Sequence, residues 1–205
     1  METIVQEAEK IIAEKPKEWK TILYGRKVVL FSFTPSDLDQ FVKLHREDKQ
    51  GYMQQYCLKL MTEEEAKKFV ATMFLTNQIK CWSVYIKSNK EKKCAGFIYL
   101  TNFSSFGACI SGIMDNEIIK GLMKQIKKEN YTFAEDSIRT LVQHCFDMGL
   151  LRIETTVLQN NRRALALDRK CGFVEEGRFR DAFQMDNKFY DVIQLSILKK
   201  EWKNE

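Results

Sequence analysis

The chain is 205 residues long, 44% hydrophobic and 12% aromatic, and its 33 basic and 28 acidic side chains give a formal net charge of +5. That length and composition suit one packed domain with a sizeable core, and two prolines with no low-complexity tract exclude a disordered chain. The charge is mixed in sign and reads as a solvated surface, with a basic face for an anionic cofactor or for nucleic acid as the other reading.

In chain order, residues 1–20 read as an amphipathic helix with Ile4, Val5, Ala8, Ile11 and Ile12 on one stripe and Pro16 as its breaker. We take 1–25 as a helical extension and 26–205 as the main domain. Lys27 to Phe33 reads as a strand, and Thr34-Pro35-Ser36-Asp37 turns the chain into a helix that buries Leu38, Phe41, Val42 and Leu44. Thr62 to Glu65 forms a capping box, so a helix starts there and runs through Phe69, Val70 and Phe74. Cys81 to Ile86 and Cys94 to Leu100 read as strands joined by a polar hairpin, and Gly107 to Ile113 as a third strand. Residues 116–129 read as a short amphipathic helix. A second capping box, Thr132 to Glu135, opens a helix that buries Ile138, Leu141, Val142, Cys145 and Phe146. Leu151 to Leu158 is β-branched and reads as a strand. Asn161 caps a short helix, Arg162 to Cys171, which Gly172 ends. Phe189 to Leu198 is the last strand. The order implies an α/β (α+β) fold with a mixed central sheet flanked by helices.

The six cysteines, Cys57, Cys81, Cys94, Cys109, Cys145 and Cys171, are scattered singly and do not form a zinc pattern. They read as buried, reduced thiols. No stretch is apolar enough to span a bilayer, and the start lacks the basic lead and apolar core of a signal peptide. The expected location is the cytoplasm, and no metal site is expected.

The informative block runs from Asn161 through Arg163, Ala164 and Asp168 to Cys171-Gly172-Phe173 and Glu175-Glu176-Gly177. It resembles the second half of the coenzyme A site of the GNAT N-acetyltransferases, where an Asn precedes a small residue, a short helix and Gly-Phe. Upstream, Asp147 to Glu154 looks like that family's helix-to-strand junction. Downstream, Gly177 to Asp181, Tyr190-Asp191 and Glu201-Trp202 look like the branch that acetylates N-termini of ribosomal proteins, the N-terminal alanine type being nearest, and various small amines. The resemblance implies a GNAT fold, in which two parallel strands splay and an acyl-coenzyme A arm enters the wedge as an added strand would. Ser111 to Asp115 and Ile153 to Leu158, including Val157, are expected to supply those strands. The pyrophosphate is expected at the N-terminus of the helix from Phe133, through Asn130, Tyr131, Thr132, Phe133 and Ala134. Asn161 and Arg163 are expected beside the cofactor.

The chain departs from the family at two points. The usual Gly-x-Gly before that helix is missing, although glycines let phosphate approach the backbone without a Cβ in the way. The tyrosine that many relatives use as general acid is replaced by Asp168, which reads as a solvated helix residue. Tyr190 is then the candidate acid, Glu154 a candidate base through water, and Ser111 a further candidate. His45 and His144 read as structural or surface residues. The implied function is direct transfer of an acetyl group from acetyl-CoA to a primary amine, either a small molecule or a protein N-terminus, by a monomer or homodimer. Two rival readings are a GNAT-fold binding module without catalysis, motivated by the missing glycines, and group transfer onto nucleic acid, motivated by Lys120, Lys124, Lys127 and Lys128.

Overall fold

The structure, a computed structural model, describes residues 21–47, 58, 60–87, 93–123 and 132–203. The expected helix over 1–20 lies outside the described residues, as do Lys124, Lys127, Lys128, Asn130 and Tyr131. The described strands are β1 (Ile22–Tyr24), β2 (Val28–Ser32), β3 (Lys80–Ile86), β4 (Cys94–Thr101), β5 (Gly107–Met114), β6 (Arg152–Leu158), β7 (Val174–Met185) and β8 (Lys188–Leu198). The helices are α1 (Leu38–Glu47), α2 (Glu63–Leu75), α3 (Asn116–Met123), α4 (Phe133–Asp147) and α5 (Arg162–Lys170). The strands form one sheet in the order β1-β2-β3-β4-β5-β6-β8-β7. Every neighbouring pair is antiparallel except β5 and β6, which run parallel.

Two strands carry no clear alternation in the sequence. β1 is three residues long, and β7 is exposed along most of its length. The ladder to β8 holds β7 in place, and Asp186 and Asn187 close that hairpin with φ of 51° and 59°. Two successive residues in the left-handed region match the twist of paired strands, and Asn and Asp tolerate that region better than most residues.

The sheet separates two cores. On one face α4 and α5 pack Leu141, Val142, Phe146 and Leu165 against Val28, Leu30, Val84, Ile98 and Ile153. On the other, α1 and α2 pack Phe41, Val42, Val70 and Phe74 against Phe33, Cys81, Phe97 and Tyr99. Strand side chains should alternate between these faces. In β4 they do not: Cys94 and Phe97 share one face while Ala95 and Ile98 share the other. A β-bulge opposite Val84 and Tyr85 supplies the extra residue. Gly96 sits in it at φ +149°, where a Cβ would collide with the Ile113 carbonyl oxygen.

The helix starts follow their capping residues. The Thr62 and Thr132 hydroxyls accept the amides of Glu65 and Glu135, and Asn161 Oδ1 accepts that of Ala164 at 3.1 Å. α4 is also pinned to the β1–β2 turn. Buried Asp136 accepts the amide of Arg26 at 3.1 Å on Oδ1, and those of Lys27 and Val28 at 2.6 and 2.9 Å on Oδ2. Among the described residues no helix is long and apolar enough to cross a membrane, and the described cysteines are free and buried.

Candidate functional site between two parting strands

β5 and β6 pair only at Gly107↔Arg152, Ala108↔Ile153 and Cys109↔Glu154. Past those residues β5 continues to Met114 bound to β4 alone, and β6 continues to Leu158 bound to β8 alone. From Ile110 and Thr155 onward the facing edges diverge, with no ladder between them. The bulge at Gly96 lies opposite Met114, at the far end of the unpaired stretch, and bends the sheet there. Each free edge presents backbone N–H and C=O groups at a two-residue repeat, which is a template for an extended, amide-bearing partner.

The parting strands open into a cleft of about 1620 Å³. Ile110 to Met114 and Thr155 to Leu158 form its floor. Ala134, Ser137 and Ile138 of α4 wall one side, together with Asn161, Arg163, Ala164, Leu167 and Asp168 of α5. α1 and α3 contribute Gln40, Lys43, Asn116 and Glu117 across the mouth.

Of the residues expected from the sequence, Ser111, Ala134, Val157, Asn161 and Arg163 line this cleft. Thr132 is the exposed N-cap of α4, and the Phe133 side chain is buried in the core. Thr132 already satisfies the amides of Glu135 and Asp136. The amides of Phe133 and Ala134 have no partner among the described residues, so the helix start keeps two donors where its dipole favours an anion. Asn130 and Tyr131 lie outside the described residues. Tyr190 does not line the cleft; it pairs with Phe183 in the β7–β8 hairpin. Glu154 is not at the cleft either. Its Oε1 pairs with Arg152 Nε at 2.5 Å and its Oε2 accepts from Gln194 at 3.2 Å.

Asp168 differs most from its sequence expectation, a solvated helix residue. It is 7% exposed and lines the cleft, and burial pushes its carboxyl up to about 7. The sequence held a sign of this. Asn161, Ala164, Leu165 and Asp168 recur at i, i+3, i+4 and i+7, so Asp168 shares a helical stripe with Ala164 and the buried Leu165 and turns inward with them.

A family model for the acetyltransferase (GNAT) domain matches residues 30–194. The chain belongs to the GNAT acetyltransferase family. Within it, this GNAT domain is 31% identical over 68 residues to YdaF of Bacillus subtilis (strain 168), provisionally named a ribosomal N-acetyltransferase. It is 32% identical over 71 residues to the spermidine N(1)-acetyltransferase of Vibrio cholerae (serotype O1, El Tor Inaba). These matches cover 33% and 32% of this chain and span only 37% and 41% of the two curated relatives' own lengths. A solved structure of the spermidine N-acetyltransferase from Vibrio cholerae, in complex with CoA and spermine, superposes with a TM-score of 0.68 at 21% identity. That superposition covers 85% of this GNAT domain's chain and 97% of the other, and it shows a shared fold.

Proposed function

We propose that the protein transfers an acetyl group from acetyl-CoA to a primary amine. The observation that carries this reading is the parting of β5 and β6 after Cys109 and Glu154, with the cleft it opens. The residues present fit the cofactor. The free edges of Ile110 to Met114 and Thr155 to Leu158 suit the two amides of its extended arm. The amides of Phe133 and Ala134, with Arg163, suit its phosphates.

When bound, acetyl-CoA supplies an activated thioester. The chain's own residues position and polarise it. A strand N–H at the free edge donates to the thioester carbonyl oxygen, where negative charge develops. The cleft holds the amine against the carbonyl carbon, so proximity supplies much of the rate. The acceptor is a small amine such as a polyamine, or a protein N-terminus; the two curated relatives carry names of these two kinds. We place the reaction in the cytoplasm, in a monomer or homodimer; the free, buried cysteines suit a reducing compartment.

The test is calorimetric titration with acetyl-CoA against free CoA, followed by an amine screen read as thiol release. Micromolar binding with turnover of at least one amine is the expected result. Binding without turnover on any amine favours a binding module. No binding at millimolar acetyl-CoA rejects the reading.

A further inference from the structure

Asp168 is a buried carboxyl with no compensating partner among the described residues. It sits in the second turn of α5, on the stripe that brings Asn161, Ala164 and Leu167 to the cleft wall. It is 7% exposed, and its side chain makes no hydrogen bond or ion pair among the described residues. Neighbouring buried carboxylates in the same layer are treated differently. Glu135 takes Lys170 at 2.6 Å and Arg139 at 3.5 Å. Asp136 takes three backbone amides. A buried carboxyl with neither cation nor donor is held in its protonated form, and that form is present near neutrality because burial raises its titration to about 7.

The surroundings agree. From α4, the titratable groups on this side are Glu135 and Arg139, which are engaged with each other and with Lys170. On α5 and just after it they are Arg163, at the cleft wall, and the buried Cys171 thiol. Asp115, Glu117 and Lys120 stand across the cleft by α3. The free stretches of β5 and β6, Ile110 to Met114 and Thr155 to Leu158, carry no titratable side chain. Asp37, Asp39, Glu47 and Glu63, with Tyr85 and Cys94, line the cleft from the side of α1, α2 and β3–β4. Of the carboxyls along the cleft, Asp168 is the buried one.

Resting on the acetyl-transfer reading, we propose that Asp168 is the general acid of the reaction, giving its carboxyl proton to the departing sulfur. The amine nitrogen bonds to the thioester carbonyl carbon. The carbon–sulfur bond breaks with its electron pair on sulfur. The Asp168 proton goes to sulfur and yields the free thiol. The extra proton on the new amide nitrogen passes to water, and water reprotonates the carboxylate. A group that acts this way must carry its proton at the start of each turnover, so kcat declines on the alkaline side of its titration.

The experiment compares wild type, Asp168→Asn and Asp168→Glu. Thiol release is followed from about pH 5.5 to about pH 9, and acetyl-CoA is titrated calorimetrically into each. We expect Asp168→Asn to lower kcat at least about tenfold and to lose the alkaline limb near neutrality. Acetyl-CoA affinity should stay within about threefold, and Asp168→Glu should recover part of kcat. Unchanged kcat with an unchanged pH profile in Asp168→Asn, with acetyl-CoA still bound, overturns this assignment and leaves the transfer reading standing. A wild type that fails to bind acetyl-CoA overturns both. Carbon-13 titration of the aspartate carboxyls in wild type reads the acid whether or not the variants fold. A midpoint for Asp168 near 7 supports the assignment, and one below about 5 overturns it.

Discussion

Asn161 uses one end of its side chain for structure and leaves the other at the cleft. Its Oδ1 caps α5 by accepting the Ala164 amide at 3.1 Å, while Nδ2 remains a donor at the wall. The two uses separate on substitution. Asn161→Ser keeps a cap of similar strength but removes the amide donor, so stability should hold within about 0.5 kcal/mol while acetyl-CoA affinity falls about tenfold. Asn161→Ala should lose the same affinity and about 1 kcal/mol of stability besides. Urea unfolding and calorimetry on the two variants check both; equal affinity in Asn161→Ser and wild type would confine Asn161 to capping. Asp136 is single-purpose. Replacing it with Ala leaves the amides of Arg26, Lys27 and Val28 without their acceptor under α4. The cost should be about 3 kcal/mol, read as a lower urea midpoint at constant slope.

The bulge in β4 is the element on which the cleft depends. A Cβ on Gly96 would run into the carbonyl of Ile113 and into Met114, and both of these residues line the cleft. Gly96→Ala must move β5 or abandon the bulge, so it should cost roughly 2–4 kcal/mol and weaken acetyl-CoA binding at the same time. Wild-type stability and affinity in that variant would separate the bulge from the cleft. The sequence makes some elements plain and hides others for physical reasons. Thr62, Thr132 and Asn161 announce their helices because capping is local chemistry between residues three apart. β7 is not announced: exposed along most of its length, it has no alternation to read, and only the Asp186-Asn187 turn betrays the hairpin. The parting of β5 and β6 leaves no local mark either. It is a matter of where a parallel ladder stops, and the Asn161-to-Gly177 resemblance implies it while strand periodicity does not. Tyr190, at the start of the last strand, and Glu154, within a strand, are proton-transfer residues that the sequence puts near the wedge, whereas their place relative to the cleft is set by register. Asp168 is hard to read because one charged residue on a short helix ordinarily faces water.

Two buried ionisable groups, one in each core layer, set opposing trends in the stability of the whole molecule. His45 is 1% exposed, bonded to the Phe41 carbonyl at 2.8 Å and to the Tyr99 hydroxyl at 3.2 Å. Burial lowers its titration from 6.5 to about 4. Between those values the unfolded chain binds a proton that the folded one does not, so His45 makes stability rise with pH, and its contribution is lost as pH falls through that window. Asp168 works the other way, because burial raises its titration from 3.8 to about 7. Between those values the folded chain holds the proton, so stability falls as pH rises, and the cost of a buried charge persists above about pH 7. Each slope is about 1.4 kcal/mol per pH unit where only one state is protonated. From about pH 4.5 to pH 6 the two nearly cancel, and wild-type stability should be close to flat as far as these groups decide it. Asp168→Asn should turn the profile upward with pH and leave the protein more stable than wild type at pH 8. His45→Gln, whatever its cost in packing, should turn it downward. Urea midpoints at half-unit steps of pH, with the slope held constant, distinguish the three curves. A wild-type profile as steep as that of either variant would show that the two groups do not balance.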